Sequence, residues 1–199
     1  DFVGSRGLGD VYKRQVVSSI EHLAVLSSSK SDHIIQVNQD GIVDLNFLEL
    51  YLKKLIKSNK KILVSVMWVN NETGVIQPIK DVVEIAKKYG CLVHCDAAQA
   101  LGKVKINLEE IELDFLTLSG HKIGAPTGIG ALVYNNDINL TPLILGGGQE
   151  KGMRAGTENI LGIRGFGEAA KFVNNLTENN CSKVKFLRDY FQKIIKNLS

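Results

Sequence analysis

Three short and almost uninterrupted apolar runs constrain the fold of this chain more than any other feature: residues 61–67 (Lys-Ile-Leu-Val-Ser-Val-Met), 91–95 (Cys-Leu-Val-His-Cys) and 114–118 (Asp-Phe-Leu-Thr-Leu). Each has strand length, and a strand apolar at nearly every position is one buried on both faces, as in a parallel sheet covered by helices. Between the first two runs, Ile79, Val82, Val83 and Ala86 recur at helical spacing. Pro78 sits in that helix's first turn, and Gly90 ends it. Upstream, the pattern predicts a strand over 16–20, a short helix over 21–28 and a strand over 33–37. A helix capped by Asp44 or Asn46 follows, with Leu48, Tyr51, Leu52 and Leu55 on one face. Downstream, residues 128–134 read as a strand and 143–145 as a last short one. Two closing helices are predicted, one over 159–174 and a second carrying Val184, Leu187, Phe191, Ile194 and Leu198 as an apolar stripe. Strands alternating with helices imply βαβ units, hence an α/β fold with a mainly parallel, mixed sheet flanked by helices.

Composition narrows the function classes. A chain of 199 residues, 44% hydrophobic and 23% charged, can bury the core of one globular domain or most of one. A net charge of +3 without basic runs interleaved with aromatics argues against direct nucleic-acid binding. The apolar runs fall short of the roughly 20 residues a membrane helix needs, and there is no signal-type apolar segment. A cytoplasmic protein is expected, or one of an organelle matrix if a targeting segment precedes these residues. Cys91, Cys95 and Cys181 form no disulfide framework. A zinc site built on Cys91, His94 and Cys95 is not expected, because no second ligand pair follows. Residues 1–15 have no sustained period and are set aside as a fusion or assembly scar. The domain is then expected over 16–178, with 179–199 a helix leading onward.

The chemistry collects at strand ends. Loops after parallel strands share one edge, where α/β folds bind ligands, and here they carry His22, Asn71, Asp96 with Gln99, and Ser119-Gly120-His121-Lys122. Taken singly, each has a plain explanation: Asp after a strand is usually a turn or cap residue, and lysines after strands are usually solvated. Together they fit pyridoxal phosphate chemistry, which needs a lysine for the Schiff base and an acid against the pyridinium nitrogen. In that reading Asp96 holds the nitrogen and Gln99 bonds the ring hydroxyl, while Ser119 and His121, with nearby amides, take the phosphate.

At these residues the sequence resembles the cysteine desulfurases of nitrogenase and iron–sulfur cluster assembly, within the class V aminotransferase-like group of fold-type-I pyridoxal phosphate enzymes. The matching stretches are Ser19-Ile-Glu-His-Leu-Ala-Val-Leu26, Val69-Asn-Asn-Glu-Thr-Gly-Val-Ile76, His94-Cys-Asp-Ala-Ala-Gln99, Leu118-Ser-Gly-His-Lys-Ile123 and Gly146-Gly-Gly-Gln-Glu-Lys-Gly-Met-Arg-Ala-Gly-Thr157. The resemblance implies that Lys122 carries the cofactor and shuttles the substrate α-proton, that His22 stacks on the ring, and that Asp96 pairs with its nitrogen. It further implies ring-side contacts from Gln99 and Asn71, phosphate contacts from Ser119 and His121, and a homodimer in which Thr157 reaches the other subunit's cofactor. L-Cysteine would be the substrate, and sulfur would pass through an enzyme cysteine persulfide to an iron–sulfur scaffold or other acceptor. The family's glycine-rich phosphate loop, persulfide cysteine and substrate-carboxylate arginine have no match here. A partial chain, inactive alone, is therefore expected. The rivals are a selenocysteine lyase, another class V lyase or aminotransferase, and an inert homologue that dimerises or binds partners; such a scaffold would require none of Lys122, Asp96, Gln99 and His121.

Overall fold

In a computed structural model, residues 14–29, 33–58 and 61–197 are described. They form one mixed sheet with helices against it, as the alternating pattern predicts. The strands are β1 (Arg14–Ser18), β2 (Ile34–Ile35), β3 (Ile62–Ser65), β4 (Leu92–Asp96), β5 (Phe115–Ser119) and β6 (Gly130–Tyr134). Their spatial order is β2-β1-β3-β4-β5-β6. The first five strands run parallel, and β6 closes the edge antiparallel to β5. The helices are α1 (Leu23–Leu26), α2 (Leu45–Leu55), α3 (Ile79–Lys88) and α4 (Ile160–Lys196).

Local chemistry explains the elements. Asp44 starts α2 by accepting from the Phe47 amide at 2.9 Å, and Leu48, Leu52 and Leu55 are its buried face. In α3, Ile79, Val82, Val83 and Ala86 are buried. Gly90, at φ 66°, turns the chain into β4, a conformation costly for a residue with a Cβ. These two helices cover one sheet face, where Val16, Ile35, Val64, Val66, Val93, Cys95 and Leu116 belong to a single core. On the other face Leu63 and Phe115 pack with Leu92, Leu132 and Tyr134. Burial of both faces is what the unbroken apolar runs demanded.

Four expectations need correction. Strand β1 opens at Arg14, with Arg14 paired to Ile62 and Gln15 to Leu63, so these two residues belong to the sheet rather than to the segment set aside. The helix expected over 21–28 is only α1, because Glu21 is drawn into the interior and His22 caps the helix. Residues 143–145 form no strand; Leu143, Ile144 and Leu145 are exposed, and no strand among the described residues pairs with them. The two closing helices are one, α4, of 37 residues, since neither glycine nor proline interrupts residues 168–197. Leu198, and residues 1–13 of the segment set aside, lie outside the described residues.

Candidate active site

Because β1, β3, β4 and β5 are parallel, the loops leaving their carboxyl ends emerge at one edge. After β1 the chain dips inward. Glu21 is 5% exposed, and its Oε1 accepts from Ser18 Oγ at 2.5 Å and from the Met67 amide at 2.6 Å. Next comes His22, exposed, with Nδ1 accepting from the Ala24 amide at 3.2 Å. That bond orients the ring at the start of α1.

After β3 the backbone continues the ladder, Trp68 N–H donating to Asp96 O at 2.9 Å. The adjacent asparagines then divide the work. Asn70 Oδ1 accepts from the amides of Glu72 and Thr73, while its Nδ2 donates to Ile20 O at 3.0 Å. Asn70 thus holds the turn and ties it to the β1 exit, whereas Asn71 is exposed toward solvent.

Strand β4 delivers Asp96, 6% exposed. Its Oδ1 accepts from the Ala98 amide at 2.9 Å. Burial raises its carboxyl above the usual range, opposed by the Ala98 amide and by the charge of His22. Residue alternation puts His94 on the same side as Asp96. The imidazole of His94 is fully buried between Ser65 Oγ, 2.6 Å from Nδ1, and Thr117 Oγ1, 2.9 Å from Nε2. Burial lowers the pKa of His94 to about 4, so it is a neutral bridge across three strands rather than a charged group. Gln99, half-buried, accepts from Lys103 Nζ at 2.6 Å.

At the end of β5, Ser119 Oγ lies 3.2 Å from His121 Nδ1. A 3-10 turn over His121–Ile123 follows and ends at Gly124, φ 86°. Within it Lys122 is exposed, and its charge together with burial lowers the pKa of Lys103, burial being the larger cause. Lys103, Gln99 and Lys122 are therefore neighbours. The Gly146 to Thr157 segment folds on itself, with Ala155 buried, Ala155 N–H bonded to Ile144 O, and Thr157 exposed.

The structure thus assembles His22, Asn71, Asp96, Gln99, Ser119, His121 and Lys122 on loops of one edge; it leaves Thr157 in an exposed loop after β6. Two nearby residues were not foreseen. Glu21 lay inside a matching stretch, but nothing in its flanking residues marks it as buried. For Lys103 the sequence carries no signal, since a lysine after Gly102 reads as a solvated turn residue.

What this arrangement can do follows from its donors. Asp96 is nearly buried yet receives a single amide bond from the described residues, so its carboxylate has acceptor positions left for a cationic N–H from outside the chain. The hydroxyl of Ser119 and the imidazole of His121 suit a phosphate, and Lys122 is an amine within the same edge. These groups fit a flat, phosphate-bearing heteroaromatic aldehyde.

The aminotransferase class V profile matches residues 13–199, and the chain belongs to this family. Among its relatives is a cysteine desulfurase of Gluconacetobacter diazotrophicus, 41% identical over 186 residues, which cover 89% of this chain and 45% of that protein. The cysteine desulfurase IscS of Ehrlichia chaffeensis is 40% identical over 205 residues, covering 96% and 49% of the two chains. A NifS-like protein from Rickettsia africae superposes with a TM-score of 0.91 at 39% identity, covering 98% of this chain and 55% of that one. The chain therefore spans about half the length of the curated relatives it matches.

Proposed function

We infer that these residues are the cofactor half of a pyridoxal-phosphate-dependent cysteine desulfurase, converting L-cysteine to L-alanine and delivering the sulfur to an enzyme cysteine and then to an acceptor. The observation that carries the reading is the buried Asp96 carboxylate, singly bonded among the described residues, on the same sheet edge as the Lys122 amine. When bound, the cofactor supplies an electron sink for the substrate carbanion. Asp96 would face the ring nitrogen and keep its proton in place, a cation there reversing the upward push of burial on the carboxyl. His22 would lie over the ring, oriented by its bond from the Ala24 amide. Ser119 and His121 would hold the phosphate. Lys122 would hold the cofactor through its amine, and its Nζ would take the substrate α-proton and return it. Gln99, whose Oε1 accepts from Lys103, would use its Nε2 to donate to the ring oxygen in its expected part.

The sulfur-bearing cysteine is not among Cys91, Cys95 and Cys181 in this reading. Burial pushes the Cys91 thiol up to about 11 and that of Cys95 well above its usual value, so neither is a thiolate near neutral pH. Cys181 is exposed, but its thiol is bonded to Lys103 O on the flank of α4. A homodimer, with Thr157 completing the neighbouring site, and a scaffold or other sulfur acceptor belong to the same proposal. So does a cytoplasmic or organelle-matrix location. No helix among the described residues is long and apolar enough to cross a membrane.

The test is the reaction itself. The full-length protein, loaded with pyridoxal phosphate and supplied with L-cysteine and a thiol reductant, is expected to release L-alanine and sulfide in equal amounts. Alanine formed from a keto acid by amino exchange, without sulfide, would overturn the desulfurase reading in favour of an aminotransferase.

A further inference from the structure

We propose that Glu21 is a positioning residue held as an uncharged carboxylic acid, which fastens the His22 loop to the exit of β3 and leaves the buried negative charge at this edge to Asp96. The role assigned to His22 and Asp96 rests on the function proposed above; the state of Glu21 does not.

The geometry is a chain of three stitches. Met67 N–H donates to Glu21 Oε1 at 2.6 Å, Asn70 Nδ2 donates to Ile20 O at 3.0 Å, and Trp68 N–H donates to Asp96 O at 2.9 Å. The first two tie the β1 exit to the β3 exit, and the third ties the β3 exit to β4. His22 follows Glu21 directly, so the position of its ring relative to Asp96 is set through the Glu21 carboxyl.

The hydrogen bonding argues for the neutral form. Both donors, Ser18 Oγ and the Met67 amide, meet Oε1. Oε2 is buried and has no hydrogen-bond partner among the described residues. An ionised carboxylate offers about four acceptor positions and, when buried, needs most of them filled or a cation beside it. Here one oxygen is bare, and the charged group that acts on Glu21 is another carboxylate, Asp96. Leaving a neutral acid partly unsatisfied is far less costly than leaving a charge so.

Electrostatics points the same way. Burial, with a smaller contribution from Asp96, pushes the Glu21 carboxyl up to about 8 against the bonds from Ser18 and Met67. The titratable groups that interact with it are Asp96 and Cys95 on β4; His22, next in its own loop, acts on Asp96. The Cys95 thiol stays neutral because burial raises it further still. A folded-state value above the unfolded one means that the native state holds its proton longer. The stabilisation is complete below the unfolded value of 4.5 and is lost as pH rises through about 8.

The experiment compares the full-length, cofactor-free protein with its Glu21→Gln and Glu21→Ala variants. Thermal unfolding is followed from about pH 5 to about pH 9. The wild type is expected to lose Tm relative to Glu21→Gln progressively toward the upper pH, and to show the infrared carbonyl band of a protonated acid that Glu21→Gln lacks. Amide exchange at Ala24, whose N–H bonds His22, should stay protected in Glu21→Gln and quicken in Glu21→Ala by about tenfold or more. A pH-independent Tm difference with no such band would overturn the proposal, as would an Ala24 amide equally exposed in Glu21→Gln and Glu21→Ala. If Glu21→Ala does not fold, the pH-dependent Tm difference between wild type and Glu21→Gln, and the wild-type band that Glu21→Gln lacks, decide alone. None of these readouts uses the cofactor, so loss of the cofactor assignment would leave them intact.

Discussion

Gly120 sets the path into the lysine turn by having no side chain. A Cβ there would stand 2.7 Å from Ile129 Cγ2 and 3.0 Å from Ile129 O, distances the backbone cannot absorb without moving. Gly120→Ala is expected to destabilise the protein by about 1–3 kcal/mol, as overpacking does, and to lower cofactor loading because Ser119 to Lys122 shift with it. Thermal melts and cofactor absorbance measure the two effects. Asp114 has a comparable role at the opposite end of β5. Its carboxylate accepts from the Val93 amide at 2.7 Å and is paired with Lys87 at 2.6 Å, with 4% of its side chain exposed. Asp114→Ala strands that amide and leaves the half-buried ammonium alone. The expected cost is about 2–4 kcal/mol, below the full figure for a buried pair because Lys87 reaches solvent. Denaturant titration would show it as a lower midpoint without loss of cofactor contacts.

Among the elements, the three central strands are joined by more than their ladder. His94 on β4 links Ser65 on β3 to Thr117 on β5. Its depressed folded value, about 4 against 6.5, means stability present above the unfolded value and lost as pH falls from about 6.5 toward about 4. The decline should reach at most ~1.4 kcal/mol per pH unit from this residue. His94→Gln is expected to flatten that acid limb while costing some stability at neutral pH; equal acid slopes in wild type and variant would contradict the neutral bridge. The apolar strands were legible from sequence because burial on both faces leaves an unbroken run, and α2 and α3 because their periodicity is clean. Element ends were less legible: a two-residue β2 and a four-residue α1 give too few positions for a period. The break expected between a helix ending near 174 and the next is not there: no glycine or proline falls in that stretch, and the helical backbone runs through it. At the site, Asp96 stood out because it follows an apolar run directly, and Lys122 because it lies just past the end of another, in Ser119-Gly120-His121-Lys122. Glu21 did not, since its burial depends on Met67 and Ser18 and not on its sequence neighbours.

As a whole molecule, the chain presents more apolar surface than its own sheet can cover. Along α4, Phe172, Val184, Phe186, Leu187, Tyr190, Phe191, Ile194 and Ile195 are exposed. In isolation the 199 residues are expected to self-associate, and replacing Phe186 and Phe191 together by lysine should reduce this in sedimentation without altering the sheet. The account also predicts no sulfide from L-cysteine with these residues alone, since Cys91 and Cys95 are buried thiols held in the neutral form. The central claim, that the strand-end lysine carries pyridoxal phosphate against Asp96, is tested most directly by absorbance of the full-length protein. Wild type reconstituted with the cofactor should show the visible band of a lysine-bound pyridoxal group, and borohydride reduction should fix the cofactor on Lys122. Lys122→Ala should lose that band and the covalent adduct while keeping its fold by circular dichroism. A full-strength band in Lys122→Ala, or a reduced adduct on a different lysine, would contradict the account.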